Sequence, residues 1–108
     1  MSNVVEKEKR NTSGFTPETV KENMCHFMDN ENLSIANMQM IAGTETVQAV
    51  YYWMKGERVP SIDAFYSICT AFCSKKVHIE DFLKEDGIPL KVDKKNAKWT
   101  NLYCENSK

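Results

Sequence analysis

A chain of 108 residues with 42% hydrophobic and 27% charged side chains has the composition of one globular domain, not of a disordered tract or a membrane protein. No apolar run approaches the ~20 residues needed to cross a bilayer. The N-terminal segment MSNVVEKEKR also lacks the apolar stretch of a secretion signal, so a cytoplasmic location is expected.

Charge is unevenly placed within a net of −1: residues 15 to 83 carry five Lys or Arg against nine Asp or Glu. The basic excess lies in the ends, with Lys91, Lys94, Lys95 and Lys98 clustered, so the body itself offers only a weak basic footprint to nucleic acid. Cys25, Cys69, Cys73 and Cys104 form no CxxC pair and are expected to be reduced thiols. Cys69 and Cys73 share a helical face, but metal ligands normally come in tight pairs; with Cys25, His26 and His78 scattered, the cysteines read as core packing and no metal is expected.

Residues 1 to 14 run through EKEKR and Asn-Thr-Ser-Gly with little to bury, which predicts a disordered, flexible arm. Thr16-Pro17-Glu18 then supplies an N-cap, a proline at the first helical position and a carboxylate at the positive helix end. Val20, Met24, Phe27 and Met28 continue at helical spacing until Asp29-Asn30-Glu31-Asn32. Ser34 caps a second helix with apolar positions Ile35, Met38, Ile41 and Ala42, stopped by Gly43. A third, expected to be capped by Thr46, turns Ala49, Val50 and Trp53 inward and ends at Gly56. Two short helices joined through a glycine turn are a helix-turn-helix arrangement.

Pro60 forces Val59 out of helical geometry, and Ser61, with Asp63, starts a fourth helix carrying Ile62, Phe65, Ile68, Cys69 and Phe72. A short fifth helix from His78 to about Glu85 adds Ile79, Phe82 and Leu83. Gly87-Ile88-Pro89 breaks it, and residues 86 to 108 form a C-terminal extension. Trp99 and Tyr103 stand four apart, so this segment reads either as a short docking helix, on the domain or on a second subunit, or as a loose basic tail.

The segment from Thr44 to Ile68 resembles the Cro and lambda-repressor-like, xenobiotic-response-element family of helix-turn-helix regulators. Thr46, Gln48, Ala49, Val50, Tyr51, Trp53, Gly56, Pro60, Ser61, Ile62 and Asp63 match without gaps; Leu33, Ser34, Met38, Gln39 and Gly43 extend the likeness upstream, so it spans roughly residues 17 to 85. Three features depart from the family pattern. Cys73 to Val77 makes the passage between the fourth and fifth helices about three residues longer, Tyr52 stands where a lysine is common, and Val47 stands where a proline is common.

What the resemblance implies is an all-α, five-helix lambda-repressor-like DNA-binding domain over 15 to 85, acting as a sequence-specific transcriptional regulator, in the first instance a repressor. The helix from about Thr46 to Lys55 would enter the major groove, with Thr46, Val47, Gln48, Tyr51 and Tyr52 on its leading turn and outer side. Gln48 is suited to pair bidentately with adenine, whereas Ser34, Gln39, Lys55 and Arg58 would face phosphates. Double-stranded DNA is the expected partner and a homodimer the expected state, with the fifth helix and the tail as its contact surface. No cofactor is implied.

An enzyme is not expected, because no GxSxG, P-loop, HExxH or dinucleotide-binding pattern occurs. The alternative is a helix-turn-helix domain turned to protein binding, antitoxin- or antirepressor-like, which the acidic body and the Tyr51-Tyr52 pair favour.

Overall fold

The computed structural model describes residues 16 to 104; the expected arm over 1 to 14, Phe15 and the last four residues lie outside them. Six α-helices occur among the described residues: α1 Pro17–Asn30, α2 Ile35–Ala42, α3 Val47–Lys55, α4 Ile62–Ala71, α5 Ile79–Leu83 and α6 Lys98–Tyr103. Short 3-10 turns cover Cys73–Lys75 and Lys94–Asn96, and no strand is present among the described residues. No helix there is long and apolar enough to cross a membrane.

Local chemistry accounts for most boundaries. Thr16 Oγ1 accepts the Thr19 amide at 3.1 Å to open α1, and Ser61 Oγ accepts the Ala64 amide at 3.1 Å to open α4. At α2, Ser34 and Asn37 form a reciprocal box: Ser34 Oγ accepts the Asn37 amide at 3.0 Å, and Asn37 Oδ1 accepts the Ser34 amide at 3.3 Å. Gly43 and Gly56 end α2 and α3 at φ 74° and 77°, a left-handed geometry that other residues adopt only with strain.

Helix α1 is the axis of the molecule, packing against α3, α5 and α6, while α2 lies across α3 and α4. The core they enclose holds Val20, Met24, Phe27 and Met28 from α1, Met38 from α2, Val50, Trp53 and Met54 from α3, Phe65 and Ile68 from α4, and Phe82 from α5. Phe27 meets the edges of Phe72 and Phe82 at centroid distances of 4.9 and 5.3 Å, which joins α1 to the far side of the bundle. Each such fully buried side chain contributes about 1.5–3 kcal/mol of transfer free energy.

Three sequence expectations need adjustment. Thr46 occupies the N-cap position of α3 but makes no capping bond; the turn is closed instead by Gln39 Nε2 donating to Thr44 O at 3.0 Å and Thr44 Oγ1 donating to Thr46 O at 3.2 Å. The fifth helix stops at Leu83. The longer passage after α4 becomes a 3-10 turn closed by Lys76 at φ 57°, with Lys75 3.3 Å from Glu31.

The extension resolves into a docked helix. Polar residues of α1 hold it along its length: Asn23 donates to Phe82 O and Lys84 O, both at 2.9 Å, and accepts the Ile88 amide at 3.0 Å. His26 Nδ1 lies 2.7 Å from Ile88 O, and Asn30 bonds Pro89 O at 2.8 Å and the Lys91 amide at 2.7 Å. Asp29 then accepts the amides of Trp99 and Thr100, the second and third residues of α6. The apolar face of α6 closes over α1, burying Trp99 and Cys104.

Candidate nucleic-acid interface

The α2-turn-α3 unit orients every residue singled out from the sequence. Val50, Trp53 and Met54 of α3 are buried, which fixes the rotation of the helix about its axis. Consecutive residues advance about 100°, so Gln48, Tyr52 and Lys55 fall on the opposite arc, Tyr51 lies at its margin, and Val47 stands in the first turn on the side of Met54. Val47, Gln48 and Lys55 are exposed, and Tyr51 and Tyr52 are half-buried. Gln48 has no hydrogen-bond partner among the described residues, so its amide is available to an incoming group.

The two tyrosines have different neighbours. Arg58, just beyond α3, sits over the Tyr52 ring at 4.6 Å, so its guanidinium stands beside the outward arc. Tyr51 is packed against the core and lies near Tyr103 of α6, whose own hydroxyl is pushed up by burial first and by the neighbouring Tyr51 second. These contacts make Tyr51 part structural, with the rest of its side chain open to solvent.

Ser34 and Gln39 have different surroundings. Gln39 is half-buried and its amide is engaged with Thr44 O, so it stabilises the turn. Ser34 is exposed at the N-terminus of α2, on the rim of a cavity that is also lined by Asn37, Asn96, Lys98 and Trp99. Docking of α6 therefore places Lys98 next to the positive end of α2, with its ammonium 4.5 Å over the Trp99 ring. The sequence by itself does not single out Asn37 or Lys98. In the sequence Lys98 is only a member of a basic cluster, because its position beside α2 depends on contacts spanning some seventy residues.

Lys55 and Arg58 are exposed at the C-terminal end of α3, together with Glu57. Gly56 nearby is tight against α1, since a Cβ there would stand 3.3 Å from Lys21 Cδ. Lys21 forms a 2.7 Å ion pair with Glu18. Burial of Lys21 opposes its charge, but the Glu18 carboxylate outweighs this and the ammonium is held above its ordinary value.

Large apolar side chains are also exposed: Met40 on α2, Ile62 and Tyr66 on α4, and Leu102 on α6. Phe82 of α5 and Ile88 and Trp99 of the extension are buried within the chain, while Leu102 of α6 stays exposed. Among the described residues no cluster of three or more His, Cys, Asp or Glu is placed to hold a metal ion. No protein-family model, curated protein or solved structure matches the chain at a significant level.

Proposed function

We propose that the chain is a lambda-repressor-like helix-turn-helix protein that binds double-stranded DNA sequence-specifically and regulates transcription. The observation that carries this reading is the outward arc of α3: a helix locked in place by three buried side chains presents an unpartnered Gln48 amide beside Val47 and Thr46, with Lys55 and Arg58 behind. A helix so mounted fits the major groove, and a glutamine amide matches the N6 and N7 pattern of adenine. Phosphates on either flank would meet Ser34 and Lys98 at the start of α2, and Lys55 with Arg58 at the end of α3.

The acidic body limits how many phosphates one copy can neutralise, so binding as a homodimer to two half-sites about 34 Å apart belongs to the same proposal. Exposed Ile62, Tyr66 and Met40 favour a second reading, in which the same domain docks on a protein.

The deciding experiment is titration of fluorescent random duplex DNA at roughly 50 to 200 mM salt, followed by selection of the bound sequences. Salt-dependent binding that enriches a two-half-site motif supports the DNA reading. No binding at the lowest salt overturns it, and a pull-down with the intact protein then addresses the protein partner.

A further inference from the structure

Lys21 and Cys25 lie one turn apart on the same face of α1. That face receives the end of α6, where Cys104 is the C-cap residue and hydrogen-bonds its amide to Thr100 O at 2.8 Å. The polar side chains of α1 that hold the extension set this register, so two cysteines seventy-nine positions apart become neighbours. Cys25 is wholly buried and Cys104 nearly so, both within the main core, and their thiols hydrogen-bond to each other. Cys25 Sγ also lies 4.0 Å from Met54 O, so the pair sits where α1, α3 and α6 meet.

We propose that Cys25 and Cys104 constitute a reversible dithiol-disulfide site that closes by exchange with a low-molecular-weight disulfide and ties α6 to α1 behind α3. The two sulfurs have unequal roles. Cys104 is the less enclosed of the two, 9% exposed against 0% for Cys25. The hydrogen bond from Cys25 lowers its thiol, against the opposing effect of burial and with help from the Lys21 ammonium, whereas Cys25 is raised by that same bond first and by burial second. Cys104 is accordingly the attacking thiolate.

In the first step the Cys104 thiolate attacks one sulfur of the small disulfide, forming a mixed disulfide and expelling one thiolate. The Cys25 sulfur then attacks the Cys104 sulfur, its proton passing to the second departing thiolate. Two protein thiols and one small disulfide become one protein disulfide and two small thiols. Cys69 and Cys73, half-buried and exposed, take no part.

Closure cross-links the chain around a very long loop, which restricts the unfolded ensemble and raises the unfolding temperature of the oxidised form. The proposal is independent of DNA binding, and its readout is chemical.

The test uses the full chain carrying Cys69→Ser and Cys73→Ser, incubated natively with oxidised glutathione, quenched in acid, alkylated and analysed by mass spectrometry. The expected result is loss of both alkylatable thiols, an intact mass lower by two hydrogens, a proteolytic peptide joining Cys25 to Cys104, reversal by dithiothreitol and a higher unfolding midpoint. With Cys25→Ser added, a glutathione adduct should persist on Cys104. The proposal is overturned if the parent protein keeps both thiols, or if it accumulates a stable glutathione adduct without the internal bond.

Discussion

Asp29, in the last turn of α1, accepts the backbone amide of Trp99 at 2.9 Å, and its second carboxylate oxygen accepts the amide of Thr100 at 2.8 Å. A buried carboxylate from the first helix thus supplies the N-terminal cap that the last helix lacks from its own sequence. Asp29→Ala leaves two orphan amides in a closed environment and is expected to cost about 2–3 kcal/mol. Urea unfolding followed by tryptophan emission measures it, with Trp53 in the core and Trp99 at the cap, where its indole donates to Leu33 O, both reporting. Asp29→Asn, which keeps one good acceptor, should lose roughly half as much.

Thr100 offers the opposite case. Its hydroxyl is buried with no partner among the described residues. Thr100→Val removes a desolvated polar atom without changing shape and is expected to raise stability by about 1 kcal/mol, read from the same urea transition. A loss of stability would show that the hydroxyl is engaged.

Asn23 holds three backbone groups at once, the carbonyls of Phe82 and Lys84 and the amide of Ile88, from a side chain only 1% exposed. Asn23→Ala is expected to destabilise by about 3 kcal/mol through a small cavity and unpaired backbone groups. Asn23→Leu should be at least as costly, because restored volume does not satisfy those groups. Thermal unfolding of the two variants tests the order.

At the proposed interface, Gln48→Ala and Lys55→Glu should leave stability within about 0.5 kcal/mol, since both side chains are exposed. Gln48→Ala is expected to weaken binding to a selected duplex by about 1–3 kcal/mol and to relax preference at one base pair. Lys55→Glu should weaken binding on all sequences and flatten the salt dependence. Fluorescence anisotropy at several salt concentrations separates the two effects.

The Glu18–Lys21 pair gives a pH dependence. Lys21 is raised in the folded state, because the Glu18 carboxylate overcomes the opposing effect of burial. Its contribution is therefore complete below the ordinary lysine value and is lost as pH climbs through the raised folded value, a window confined to strongly alkaline pH. Glu18 is largely exposed, so the effect is small. Glu18→Gln should narrow the stability difference from wild type as alkaline denaturation is approached and should cost about 0.5 kcal/mol near neutrality.

The sequence alone determined the first four helices, because their limits depend on neighbours in the chain. Thr16, Ser34 and Ser61 reach amides three residues ahead, and Gly43 and Gly56 take left-handed turns that other residues resist. It also determined the outward arc of α3, since the inward positions Val50 and Trp53 leave Gln48 and Lys55 facing away. The tertiary structure alone decided the fate of residues 84 to 104. Their conformation rests on Asn23, His26, Asp29 and Asn30, partners 59 to 71 positions distant. A trace of this was written in α1, where Asn23, His26 and Asn30 recur at helical spacing on one face. Such a polar stripe has the pattern of a solvated surface until another segment buries it. Burial of polar groups is favourable only when each finds its partner, and only the folded chain supplies the carbonyls and amides that make this stripe an internal seam.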